Sequence, residues 1–133
     1  MKVFISYKFR GADTKELRKN IEHVNTILTK EGHTPFNFFG DVENWEKKEY
    51  LPGEVMRKAF ENIKESDALV ALLENPEPSE GMLLEIGYAL ALKKKVIILQ
   101  QKNIIQPSLT SLATKVIPFQ SIQDLDTIIG SDL

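Results

Sequence analysis

Apolar positions along the chain keep two different rhythms. Val3-Phe4-Ile5-Ser6 is a short run with β-branched members, the length of a strand. From Asp13 to Glu31 the rhythm becomes helical, because Leu17, Ile21, Val24 and Leu28 fall on one helical face. Asp13 stands where an N-cap belongs, Glu16 gives a capping-box-like signal, and Gly32 stops the helix. Thr34 to Phe39 predicts a second strand, which Pro35 places at a sheet edge because proline has no amide hydrogen to donate. Gly40 to Gly53 is polar and irregular and holds Trp45 and Tyr50; a connection of that length is expected to carry function or to move. Pro52 and Gly53 open a second helix, with Val55, Met56, Ala59, Phe60 and Ile63 as its buried stripe.

Ala68 to Leu73 is apolar without alternation, as in a strand covered on both faces. Ser79 to Lys93 predicts a third helix, whose Lys93-Lys94-Lys95 end suits the negative pole of the helix dipole. Val96 to Leu99 is another two-sided strand, followed by a short helix. Val116 to Phe119 predicts the last strand, with Pro118 again marking an edge, and Ser121 to Ile129 a final short helix. Regular alternation of this kind predicts an α/β fold, a five-stranded parallel sheet between two layers of helices. With Pro35 and Pro118 at opposite edges the strand order becomes 2-1-3-4-5, the flavodoxin-like three-layer sandwich. No linker or repeat divides residues 1–133, so one domain is expected.

Composition narrows the function classes. The 133 residues are 42% hydrophobic and 27% charged with a net charge of -2, which excludes wholesale disorder and a nonspecific coat on nucleic acid. Cysteine is absent, so disulfides, thiolate metal sites and cysteine nucleophiles are excluded. With only His23 and His33, no metal centre and no cofactor are expected. The start resembles no signal peptide, since Lys8 and Arg10 follow a very short apolar run, and no run approaches the roughly 20 residues of a membrane span. A cytoplasmic protein with neither membrane nor nucleic acid as partner is expected.

The strand order localises the chemistry. Ligands bind beyond the carboxyl ends of strands one and three, where the order reverses. Two loops converge there, Tyr7 to Ala12 and Glu74 to Ser79. Arg10 is an anion binder or a solvated turn residue, Gly11 lets a ligand approach the backbone, and Ser79 is an N-cap whose helix end attracts phosphate. Trp45 and Tyr50 are base platforms or loop anchors. No dinucleotide fingerprint or P-loop occurs. Within Gly81 to Leu92 the one charged side chain is Glu85. Desolvation raises the pKa of such a carboxyl, as suits an acid, a base or a nucleophile; the plainer alternative is a Glu that emerges at a groove or pairs with a lysine. Apolar residues all round this helix predict a second subunit against it, hence a homodimer or higher oligomer.

Ser66 to Leu73 followed by Pro78 to Ala91, with Glu85-Ile86-Gly87-Tyr88-Ala89 at its centre, resembles the nucleoside 2-deoxyribosyltransferase family and the related 2'-deoxynucleoside 5'-phosphate N-hydrolases. The resemblance implies that Glu85 is the nucleophile on the anomeric carbon. It also implies that Ser79, Gly81, Arg10 and Gly11 surround the phosphate or sugar, with Ser6 and Tyr7 lining the crevice. The chain departs from that pattern twice. Phe4 stands where a tyrosine of strand one touches the nucleophile, and Ala59 falls about where an aspartate assists the leaving base. Glu61 or a partner-subunit residue is the available replacement.

Phe4-Ile5-Ser6-Tyr7, Pro52-Gly53-Glu54 and Ile63-Lys64-Glu65-Ser66 also resemble TIR domains, without their S-x-W-C element. The expected function is cleavage or transfer at an N-glycosidic bond of a nucleotide or nucleoside. The alternatives are a TIR-like NAD-cleaving domain and a non-catalytic nucleotide-binding or assembly module.

Overall fold

The computed structural model describes residues 1–9, 11–42 and 50–128. Its strands are β1 Lys2–Ser6, β2 Thr34–Phe36, β3 Ala68–Leu73, β4 Lys95–Gln101 and β5 Lys115–Phe119. They form one parallel sheet in the order β2-β1-β3-β4-β5. The helices are α1 Thr14–Lys30, α2 Phe38–Asp41, α3 Pro52–Glu65, α4 Glu80–Ala91, α5 Pro107–Thr110 and α6 Leu125–Ile128. This is the flavodoxin-like α/β sandwich that the alternating pattern predicts. Both prolines sit in edge strands, Pro35 pairing only with β1 and Pro118 only with β4.

Strand side chains alternate between two faces. Val3, Ile5, Val70, Leu72, Ile97 and Leu99 meet Leu17, Ile21, Val24 and Leu28 of α1. Phe4, Leu69, Ala71, Leu73 and Ile98 meet Ala59 and Ile63 of α3 and Met82, Ile86 and Ala89 of α4. Every residue of β3 is buried, as its unbroken apolar run requires.

The ends of α1 follow the sequence signals. Asp13 Oδ1 accepts from the amides of Lys15 and Glu16, a cap worth about 1 kcal/mol. Gly32 takes a left-handed φ of 86°, which lets the chain leave the helix without strain.

Several boundaries differ from expectation. The strand expected to reach Phe39 ends at Phe36. Asn37 then caps a short turn of helix, its side chain accepting from the amide of Gly40 while Asp41 accepts from the amide of Asn37. That turn sends Phe38 into the α3–α4 layer and Phe39 into the α1 layer. The irregular stretch expected from Gly40 therefore opens inside α2, and Trp45 lies outside the described residues. β4 runs longer than Val96 to Leu99. The last helix begins as a 3-10 turn over Ile122–Asp124, and Ile129 lies outside the described residues.

The third predicted helix, α4, is not covered on every side in the single chain. Met82, Glu85, Ile86 and Ala89 face inward, whereas Leu83 and Leu84 are 46% and 54% exposed. Among the described residues no helix is long and apolar enough to cross a membrane.

Candidate active site

The site grows from two periodicities meeting at the carboxyl end of the sheet. In β1 the period of two turns Phe4 and Ser6 toward α4. In α4 the helical period places Glu85 in the buried stripe with Met82, Ile86 and Ala89. A carboxyl thus takes a position where the pattern calls for an apolar side chain. The hydroxyl of Ser6 donates to Glu85 Oε1 across 2.6 Å, at the short end of the hydroxyl–oxygen range. Ser6 is 1% and Glu85 8% exposed, so the pair is nearly dry. Burial disfavours the charged form and the Ser6 hydrogen bond favours it. Burial wins, leaving the Glu85 carboxyl pushed up to about 7. Both protonation states are therefore populated near neutral pH, a range suited to nucleophile or proton-transfer chemistry.

The two loops expected at the crevice are brought together. Lys8 Nζ donates to the carbonyl of Glu77 at 2.8 Å, and Gln106 Nε2 donates to that of Pro76. Gly11 has a φ of 77° in the turn before α1, a conformation that suits glycine. Arg10 lies outside the described residues. Tyr7 stacks on Phe39 with ring centroids 5.4 Å apart, which sets it at the junction of the two helical layers. Ser79 caps α4 by accepting from the amide of Met82 at 3.1 Å, which leaves its own hydrogen to donate. Gly81 follows in the first turn, 3.9 Å from Ser79 Oγ measured at the point a Cβ would occupy.

A cleft of about 250 Å³ opens on the α1 face of the same edge, lined by Lys8, Asp13, Glu16, Asn20, Glu74 and Gln101 among others. Glu74 continues the register of Val70 and Leu72, so it turns toward α1. Ser6, Ser79, Gly81 and Glu85 do not line this cleft. Burial and the neighbouring Glu16 hold the Glu74 carboxyl above its usual range, while Asn20 Nδ2, 3.0 Å away, pulls it down. The cleft is smaller than the ~300–1,000 Å³ typical of drug-sized ligands. Sequence reasoning missed Glu74 and Asn20 as a pair. The signal was Asn20, a polar residue inside the apolar stripe between Leu17 and Val24.

Phe4 and Ala59 are both 0% exposed and belong to one core cluster. Glu61 is exposed on α3, turned away from Ala59. Among the described residues no group of three His, Asp or Glu side chains could hold a metal ion.

These features define a flavodoxin-like α/β domain that, among the described residues, has one buried acid beside the carboxyl edge of its sheet. Residues 6–108 match the family model for nucleoside 2-deoxyribosyltransferase, and the chain belongs to that family. No curated protein matches it. Among solved structures it is similar to the CMP N-glycosidase BcmB of Clostridium botulinum, with 25% identity over 95% of this chain and 98% of that one and a TM-score of 0.66. It shares the fold of a conserved protein from Enterococcus faecalis V583 (22% identity, 100% and 99% of the chains, TM-score 0.72). It likewise shares the fold of a 2-deoxyribosyltransferase from Bacillus psychrosaccharolyticus (19% identity, 96% and 91%, TM-score 0.68).

Proposed function

We propose that the protein cleaves or transfers the N-glycosidic bond of a nucleotide or nucleoside, with Glu85 as the nucleophile. The observation that carries this reading is the buried, hydrogen-bonded Glu85 carboxyl with its pKa near neutral. Family membership and the likeness to a CMP N-glycosidase support the same bond as the target.

The chemistry follows that of retaining glycosidases. A Glu85 oxygen bonds to the anomeric carbon as the bond to the base breaks, and the base departs with the bonding pair. Water then displaces the carboxylate to give free sugar, or a second base accepts the glycosyl group; the proton that the water or second base loses goes to the departed base, and either step returns the carboxylate. Ser79 and Gly81 at the start of α4, with Arg10 and Gly11 of the segment between β1 and α1, hold the phosphate or sugar and so orient the anomeric carbon. Tyr7 forms the wall of the crevice. A homodimer or higher oligomer covers Leu83 and Leu84 on the outer side of α4.

Phe4 and Ala59 favour a second reading. Both are fully buried and neither can give or take a proton, so the fold can bind a nucleotide without turning it over. One assay separates the two. Wild-type protein and Glu85→Gln are incubated with deoxynucleoside monophosphates, ribonucleoside monophosphates, deoxynucleosides plus a second base, and NAD, and free base is measured. Base release that Glu85→Gln abolishes supports the enzyme, and the productive substrate shows the branch. Binding without release supports the second reading.

A further inference from the structure

We propose that Ser6 is the positioning residue for Glu85: its hydroxyl holds Oε1 and leaves Oε2 for the sugar. This inference rests on the reading of Glu85 as nucleophile.

The strand supplies one donor at this position. Phe4, two residues earlier on the same face, is an aromatic ring packed between Phe36 and Phe38, with centroids at 5.8 Å and 6.4 Å, and has no hydrogen to give. Ser6 is the last residue of β1, and backbone pairing with Ala71 fixes its place. Its register therefore aims the hydroxyl at α4 without dependence on a mobile loop. Met82 and Ile86, which flank Glu85 on α4, belong to a core cluster with Ala71 and Leu73 of β3, Ala59 and Ile63 of α3 and Ile98 of β4, and Tyr7, Tyr50 and Tyr88 pack at its margin. The aliphatic members cannot share the work of stabilising a charge, whereas Ser6 donates to the carboxyl directly. Burial and the Ser6 hydrogen bond are the two influences that shift Glu85, and no charged group on β1, β3, β4, α3 or α4 adds to them among the described residues.

The hydrogen bond also fits both chemical steps. Attack turns the carboxylate into an ester, and the bond from Ser6 weakens as the charge leaves. When water or a second base displaces the sugar, the carboxylate is the leaving group, and Ser6 stabilises the charge that returns. Ser6 thus acts through Glu85 and not by touching substrate.

The test uses Ser6→Ala, Ser6→Cys and Glu85→Gln in the full chain, with thermal unfolding as the check on folding. Two readouts are followed: the pH dependence of kcat/KM for base release, and the titration of the Glu85 carboxyl by carbon-13 NMR, assigned by its loss in Glu85→Gln. Removing the hydroxyl leaves desolvation unopposed, so the carboxyl titrates at higher pH in Ser6→Ala. The acid limb of the rate profile moves up with it. At pH 7, kcat/KM falls roughly 10- to 100-fold and recovers in part as the pH is raised. Ser6→Cys, a weaker donor of nearly the same shape, falls between, and carries the test alone if Ser6→Ala does not fold. An acid limb that stays in place overturns the proposal, whatever happens to kcat. Base release that persists in Glu85→Gln overturns the functional reading itself. A titration that moves in a protein releasing no base from any substrate reduces Ser6 to a structural partner and overturns its positioning role.

Discussion

A single carboxyl at a core position carries a cost that can be measured. Glu85 titrates near 7 in the folded chain against an ordinary value of 4.5. Between those values the native state holds a proton that the unfolded chain has released. Stability therefore falls as pH rises through this window, from its full value below about 4.5 to its low plateau above about 7. The contribution lost is up to roughly 3 kcal/mol. Glu85→Gln, which cannot ionise, is expected to be the more stable protein at pH 8, with the gap closing toward pH 4. Denaturant unfolding of both proteins at the two pH values checks this. A variant that gains stability as it loses activity is the pattern of an acid kept for function.

The other residue-scale test concerns the cleft on the α1 face. Asn20 donates to Glu74 from a position 9% exposed. Asn20→Ala leaves the carboxylate without its donor and is expected to cost about 1–2 kcal/mol at pH 8. The same change raises the pH at which Glu74 titrates, because the surviving influences, burial and Glu16, both push it upward. Urea unfolding and carboxyl titration read the two effects. Neither residue could be paired from the sequence. Glu74 lies one step past β3, and which face it takes depends on the register of a strand whose apolar run does not alternate.

Among the elements, the start of α4 joins structure to binding. Ser79 caps the helix, and on our reading the same residue meets the phosphate or sugar. The two roles separate by substitution. Ser79→Ala loses the cap, about 1 kcal/mol, whereas Ser79→Gly costs only a few tenths on average. Ser79→Gly is therefore expected to fold normally while KM for a 5'-phosphorylated substrate rises, and KM for the corresponding nucleoside changes little. Steady-state kinetics on the two substrates decides. This element was legible, since Ser79 precedes an apolar helix and Glu85 interrupts it. The second strand was less so. Thr34 to Phe39 is aromatic enough to read as strand, and the Asn37 cap, which competes for backbone groups, ends it at Phe36.

For the whole molecule, the sheet order was the most legible property, because it rests on topology and on two prolines that cannot serve a central strand. The apolar third helix was legible too, but its meaning divides between layers. The sheet and α3 cover one side, and Leu83 and Leu84 remain outward. If a second copy covers them, Leu84→Arg yields a monomer with unchanged thermal stability of the isolated fold. Sedimentation velocity compares it with the wild type, and a wild-type protein that is already a monomer removes the oligomer from the account.

The central claim is that Glu85 bonds to the sugar, and mass mapping of an acid-quenched reaction tests it most directly. The protein is mixed with each substrate of the panel, quenched, digested and searched for a glycosyl increment. The account predicts the increment on the peptide that contains Glu85 and its absence in Glu85→Gln. An increment on another carboxylate, such as Glu74, contradicts it.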